Sequence, residues 1–474
     1  MTSSPYPVRF DTARQYAVEA AHSVTAQGFG VVLVRDVLGR FSLVVDDTGS
    51  QQEAAPLHGS WQVEFTSHLG PYAADQPVLL ASQMFSAGAV LNSPRAVADP
   101  DGAPIRFIDN TVVGEDWARV TAPDPGPVRA GSRAHRTALY GFKGGVGRTT
   151  ATAVLARRLA DRGHCVLVVD LDLESPGAGP LLAGRDLSSH GIVDHLVEAA
   201  VDNARGLELV TRTAYEPRHR YGELWVAPAR GRGTPGMPYT YVDKLNRVYS
   251  DLPGTPFAAR LDQAVRACED AVERDGDTGR RPDVVLLDSR AGIHDIAAVT
   301  ISQLCDVALL FGADNTQTWA GYGDLFAAWQ SLGQARRIRE RLRMVASMVP
   351  DSVHFPMQGY LDSFRSHAFE ACSVLYDEIA PTEPAEVAAP DAPDADSSGA
   401  GPEAPFAPTL HDDWAPHAPV PILFDQGLVG MDSVNAPDWW DRAFVEAAYR
   451  DFLATVTPLI EDALASNGDR EGTR

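Results

Sequence analysis

The stretch Phe142-Lys143-Gly144-Gly145-Val146-Gly147-Arg148-Thr149-Thr150 decides how the rest of this 474-residue chain is read. Before it lies a strand-length apolar run, Arg136–Phe142. After it Thr149–Arg162 carries apolar residues at helical spacing. Glycines at 144, 145 and 147 let the backbone curl so that successive N–H groups converge on an anion, with the positive end of a helix behind them. A hydroxyl at Thr149 suits a magnesium ion bridging two phosphates. The plain alternative is a glycine-rich turn with no ligand; the strand before it and the helix after it favour the cradle.

Two other strand ends point the same way. Val169-Asp170-Leu171-Asp172-Leu173-Glu174 closes a second apolar run, Cys165–Leu171. Carboxylates at the C-terminal edge of a parallel sheet sit where ligands bind in such folds, although a turn held by Asp would look alike. Asp283-Val284-Val285-Leu286-Leu287-Asp288 is a buried strand delivering one carboxylate, Asp288, to a magnesium ion or its water. Beyond it Arg290 is open to two readings, a phosphate or partner contact and a solvated surface residue. His294 and Asp295 read as the start of the next helix, and Glu174 receives no role.

The loop resembles the deviant Walker A motif, K-G-G-x-G-K-[ST], of the MinD/ParA group of P-loop ATPases, over roughly Arg136 to Ala465. The resemblance implies a nucleotide held by Gly144, Gly145, Val146, Gly147, Arg148, Thr149 and Thr150. It implies Lys143 reaching across a nucleotide-sandwiched homodimer to the partner's phosphates, and Asp172 orienting the attacking water. Magnesium would be served by Thr149, Asp170 and Asp288, and Gly292 would sense the γ-phosphate. Arg148 is the departure, standing where the family has its loop lysine. It keeps the charge and can pair bidentately with phosphate. Its larger planar head could also misplace the γ-phosphate, and an error of about 1 Å can cost about 100-fold in rate. The K-G-G-V-G-R variant resembles a subgroup found in bacterial multi-component signalling and conflict operons. Of forty basic residues only Lys143 and Lys244 are lysines, so Lys143 stands out. No N-K-x-D guanine reader is present, which favours ATP, with adenine expected near Ser347–Pro350.

Outward from the loop, apolar strands alternate with helix-length segments. Glu223–Pro228, Asp306–Phe311, Met344–Val349 and Val420–Phe424 read as strands; Pro256–Arg274, His294–Leu304 and Thr316–Gln334 read as helices. Strands apolar on both faces and spaced by helices predict an α/β fold, a mostly parallel doubly wound sheet. Residues 1–122 read as a separate small α+β module: a helix Ala13–Ala26, a hairpin Gly30–Arg35/Phe41–Asp46, and strands Trp61–Thr66, Val78–Ala81 and Ile105–Ile108. Its role is not legible, and His58 beside Trp61 reads as structural. A Pro/Gly-rich linker follows at 123–134, ahead of a core over 135–377. Residues 378–418 read as a disordered acidic Pro/Ala-rich insertion. The core ends over 419–466, with a helix Trp439–Ala465 interrupted at Pro458, and 467–474 is a tail.

The net charge of −23 is concentrated: from Glu370 to Asp441 there are fifteen Asp and Glu and no Lys or Arg. A mildly acidic remainder disfavours non-specific nucleic-acid binding, which needs a positive field. The run Arg336, Arg337, Arg339, Arg341 and Arg343 leaves DNA contact open, beside the commoner reading of a solvated helix end. No membrane span, signal segment or basic amphipathic C-terminal helix is evident. Four scattered cysteines argue against disulfides or zinc, and a cytoplasmic protein is expected. No G-x-S-x-G elbow appears, nor the C-terminal tyrosine cluster of a tyrosine kinase. The expectation is an ATP-hydrolysing dimeric switch, slow alone, acting on a protein partner through the N-terminal module or the acidic insertion. The alternatives are a non-hydrolysing nucleotide-binding scaffold and a DNA-partitioning ATPase.

Overall fold

The computed structural model describes residues 8–98, 105–110, 115–122, 133–249, 255–377, 405–428 and 443–471. The chain divides into two compact units, Met1–Glu115 and Asp116–Arg474. Most of the expected linker, residues 378–404 of the expected insertion, and the start of the expected closing helix at Trp439 lie outside the described residues.

In the first unit β1 (Gly30–Arg35) and β2 (Phe41–Asp46) form the expected hairpin. Asp36 fixes its turn by accepting from the N–H groups of Leu38 and Arg40, and Gly39 supplies a left-handed φ of 84°. With β3 (Ala73–Leu80), β4 (Val97–Ala98) and β5 (Ile105–Asp109) the order is β3-β2-β1-β5-β4. The helix Phe10–Thr25 covers one face with its buried alanines. The strand expected at Trp61–Thr66 is instead part of a helix, His58–Leu69. Trp61, Phe65 and Leu69 are the buried residues, four apart, so the helical period wins over the apparent alternation. His58 Nε2 meets the Val78 carbonyl at 3.0 Å, a structural contact.

The second unit is built on β6 (His135–Gly141), β7 (Cys165–Leu171), β8 (Thr211–Arg212), β9 (Glu223–Ala227), β10 (Val284–Ser289), β11 (Val307–Gly312), β12 (Leu342–Val349) and β13 (Val420–Leu423). Their order is β13-β12-β11-β6-β10-β7-β9-β8, and all pairs are parallel except β8 with β9. This is a P-loop NTPase fold flanked by helices. Period-two alternation divides the central strands between two cores. Along β7, Cys165, Leu167, Val169 and Leu171 join the core beneath the helices Phe257–Asp275 and Thr316–Ser331. Val166 and Val168 join the core beneath Arg148–Asp161 and Arg450–Glu471. Burial on both faces is why these strands read as unbroken apolar runs.

Three segments differ from expectation. Residues 116–122 belong to the second unit, because Trp117 packs against Tyr140 and Trp329 and its carbonyl accepts from Trp329 Nε1. Residues 405–418 are packed rather than disordered: Phe406 meets the Tyr376 ring, His417 is buried against Tyr376, and the Pro416 carbonyl accepts from Met344 N. Asp377 N donates to the Phe406 carbonyl and Phe406 N to the Asp377 carboxylate, both at 2.9 Å, while Arg339 grips that carboxylate with two bonds of 2.8 Å. The C-terminal segment is two helices, Ala443–Ala448 and Arg450–Glu471, and the second runs through Pro458 and into the expected tail. Proline removes one donor, but Phe452, Val456 and Ile460, buried on either side of it, keep the helix on the sheet.

Helices at Ile192–Ala199, Tyr241–Val248 and Met357–Ser373 had no assignment from sequence. The helix expected at His294–Leu304 begins as α-helix, Asp295–Val299, and finishes as a π-helical turn, Thr300–Leu304.

Candidate nucleotide site

The glycine loop leaves β6 at the centre of the sheet, between β10 and β11. Its first residue, Phe142, is seated by a missing side chain: a Cβ on Gly321 would lie 2.2 Å from the Phe142 ring. Gly145 and Gly147 take φ of 79° and 76°, open to glycine at no steric cost. Added Cβ atoms on Gly144 or Gly145 would meet nothing within 4 Å, so the loop's outer side is open. Lys143 is exposed and its Nζ donates to Gln317 Oε1 at 2.8 Å.

Arg148 and Thr149 start the helix that follows. The Thr149 hydroxyl donates to Asp288 Oδ2 at 2.8 Å, and Arg148 Nε donates to Asp288 Oδ1 at 2.8 Å. Arg148 Nη2 reaches the other carboxylate, Asp172 Oδ2, at 2.9 Å. The guanidinium is only 8% exposed. Burial works against its charge, but Asp288 and Asp172 more than compensate and raise its pKa. Burial raises the Asp172 carboxyl above its ordinary value against the pull of Arg148. These contacts follow from topology: β10 lies between β6 and β7, and in register Asp288 pairs with Leu139 on one side and Asp170 on the other.

Asp170 is fully buried, and burial beside Asp288 pushes its carboxyl up to about 7. It accepts from the N–H groups of Asp172, Gly177 and Gly179 and so shapes the turn that presents Asp172. That turn lies close to the loop, since a Cβ on Gly177 would come 3.3 Å from Thr149 Cγ2. Gly292, the expected γ-phosphate sensor, has φ of 80° and donates its N–H to the Gly141 carbonyl at 3.2 Å.

Sequence reasoning missed a knot beside the site. Glu174 Oε1 pairs with Arg290 at 2.5 Å, accepts from the Tyr249 hydroxyl at 2.8 Å, and lies 3.8 Å from His294 Nε2. Neither reading of Arg290 included this internal partner. Burial and the Arg290 charge lower the pKa of His294. Nearby, the Tyr241 hydroxyl donates to the Leu173 carbonyl, anchoring the Asp172 turn from the helix Tyr241–Val248. The signal available in sequence was the pair of charges flanking two Asp-terminated strands. Lys244, the other lysine, is structural: its Nζ lies 2.6 Å from the buried carboxylate of Asp194.

The Arg336–Arg343 run is engaged at home. Arg337 and Arg341 donate to the Val120 and Thr121 carbonyls, Arg339 holds Asp377, and Arg343 donates to the Glu340 carbonyl. Among the described residues no helix is long and apolar enough to cross a membrane. None of their His, Cys, Asp and Glu side chains form a cluster of three that could hold a metal unaided. A hydroxyl and one carboxylate fit magnesium, which characteristically keeps waters and takes its remaining ligands from substrate phosphates. The open loop, Arg148, Thr149 and Asp288 therefore fit a magnesium nucleotide.

Solved structures with similar chains include the cobyrinic acid a,c-diamide synthase of Mycobacterium smegmatis, with bound ATP analog and magnesium (17% identity, 48% of this chain and 80% of that one, TM-score 0.34). A second is the cell division ATPase MinD of Pyrococcus furiosus (21% identity, 48% and 78%, TM-score 0.32). A third is a putative plasmid partition protein of Borrelia burgdorferi B31 bound to AMPPNP (11% identity, 50% and 84%, TM-score 0.34). No curated protein matches the chain. Residues 137–349 match the CobQ/CobB/MinD/ParA nucleotide binding domain, within the unit that carries the loop.

Proposed function

We propose that this chain binds Mg·ATP at the Phe142–Thr150 loop and hydrolyses it slowly, as a nucleotide-gated dimeric switch. The observation that supports this best is the convergence of the Thr149 hydroxyl, Arg148 and the Asp288 and Asp172 carboxylates beside an open glycine loop. Loop N–H groups and the helix N-terminus bind the phosphates. Thr149 and Asp288 would hold a magnesium ion, which would neutralise phosphate charge. Asp172 orients the water; its oxygen joins the γ-phosphorus as the bridging bond breaks, and ADP leaves with that electron pair. The water's proton passes to phosphate or solvent. Asp170 holds the Asp172 turn. Lys143, exposed and bonded to Gln317, would swing to the phosphates of a second copy. The dimer then presents a changed surface to a protein partner, through the N-terminal unit or the acidic segment, in a cytoplasmic signalling or defence system.

The test is single-turnover ATP hydrolysis with light-scattering mass for wild type, Lys143→Ala and Asp172→Ala. The switch predicts an ATP-driven doubling of mass, trapped by Asp172→Ala and abolished by Lys143→Ala. Tight ATP binding with no phosphate released and constant mass would establish the second reading, a nucleotide-bound scaffold. The engagement of Asp172 by Arg148 is what favours that rival.

A further inference from the structure

The geometry points to Arg148 as a positioning residue that restrains Asp172 and thereby sets a slow intrinsic turnover; this rests on the nucleotide-site reading above. Arg148 departs from the loop lysine of the resembled motif, and its guanidinium is divided. One edge reaches two carboxylates from two strands: Nε lies 2.8 Å from Asp288 Oδ1, and Nη2 lies 2.9 Å from Asp172 Oδ2. The Asp172 side chain is 14% exposed, and its other oxygen accepts from Ser175 N at 3.3 Å. Both of its oxygens therefore have protein donors. Among the described residues Nη1 of Arg148 has no acceptor.

The chemistry of a fork makes this arrangement persistent. A guanidinium has five N–H donors in fixed directions, so Nη1 can take a phosphate oxygen while Nε and Nη2 keep their carboxylates. A lysine in the same place has a single nitrogen. Its three donors radiate from one point, so against phosphate it cannot also span Asp288 and Asp172 as the fork does, and Asp172 is left to engage water. With arginine, nucleotide binding alone does not release Asp172. Release needs a competing group, and the face that supplies one would be the trigger for hydrolysis. The residue is thus a brake built into the loop.

The test compares wild type, Arg148→Lys, Asp172→Asn and the double variant. In nucleotide-free protein the melting shifts of the two single changes should be non-additive by about 2 °C or more, because the side chains are in contact. Under single-turnover conditions Arg148→Lys should hydrolyse ATP about tenfold faster than wild type or more, a direction that lost structure would not produce. Asp172→Asn should abolish that gain. In equilibrium titration with ADP, Asp172→Asn should bind at least as tightly as wild type, since Nη2 is released toward phosphate. Additive melting shifts, or an Arg148→Lys protein that binds ATP and turns over no faster than wild type, overturns the brake. If wild type binds neither ATP nor ADP, the nucleotide reading fails, while the melting cycle still decides whether the pair is coupled.

Discussion

Arg290 and Glu174 meet at 2.5 Å, joining the turn that follows β7 to the turn that follows β10. The pair thus ties the segment that carries Asp172 to the one that carries Gly292. Glu174→Ala leaves Arg290 and the Tyr249 hydroxyl without their shared acceptor. We expect a loss of about 1–2 kcal/mol in urea denaturation, below a fully buried pair because both side chains keep some solvent. Arg290→Ala should cost less, and the double variant should fall short of the sum.

The Thr149 hydroxyl donates to Asp288, while its backbone, unchanged by truncation of the side chain, belongs to the loop. Thr149→Ala should therefore reduce ATP affinity about tenfold in the presence of magnesium and leave the affinity measured in excess EDTA nearly unchanged. Equal losses under both conditions would show that Thr149 acts on the loop itself rather than through the metal.

Gly321 is a packing requirement of the loop from a distant helix. Gly321→Ala places a methyl group 2.2 Å from the Phe142 ring, so Phe142 must move. Overpacking of this kind costs about 1–3 kcal/mol. The change should lower both the melting temperature and nucleotide affinity, whereas Gly323→Ala, which meets nothing within 4 Å, should leave affinity alone.

His135 and His195 are buried, and burial lowers the pKa of each. Around His135, Asp306 opposes that fall and Arg133 adds to it. With folded pKa values below the unfolded value of about 6.5, the unfolded chain binds more protons as pH drops. Stability from these groups is full above about pH 7 and declines as pH falls through 6.5 towards 5. Asp170 acts in the opposite sense over the same window, because its carboxyl is held up to about 7 and its protonation favours the folded state as pH falls. Melting scans at pH 7.5, 6.5 and 5.5 therefore read the histidine contribution as a difference between wild type and a histidine variant. Relative to wild type, His195→Gln should lose less stability as pH falls, and an unchanged slope in that variant would remove His195 from the account.

The parts of the fold legible in sequence were those whose cause is local. β7 buries every residue, and its continuous apolar run marked it to the residue. The glycine loop, Asp172 and Asp288 were visible because each closes such a run. The helix Met357–Ser373 was missed because its buried residues are only Phe364, Ala368 and Cys372 in a polar setting, too narrow a stripe to read. Residues 405–418 were misread because their composition matches the acidic run before them, and what orders them is tertiary, the Tyr376 ring and the Met344 backbone. The Arg148 bridge and the Glu174 knot join the ends of different strands, and no spacing along one segment encodes that juxtaposition.

The paired bonds between Asp377 and Phe406 have a consequence for how this chain can change. Asp377 and Phe406, 29 positions apart in sequence, are held side by side and latched by Arg339, so the two ends are fixed to each other whatever length of chain joins them. Lengthening a connection between fixed ends costs only about 0.6 kcal/mol per doubling. Replacing residues 378–404 with a short Gly-Ser tether should leave the melting temperature within a few degrees. Connections of very different length and charge can therefore join these two points without altering the sheet that bears the glycine loop.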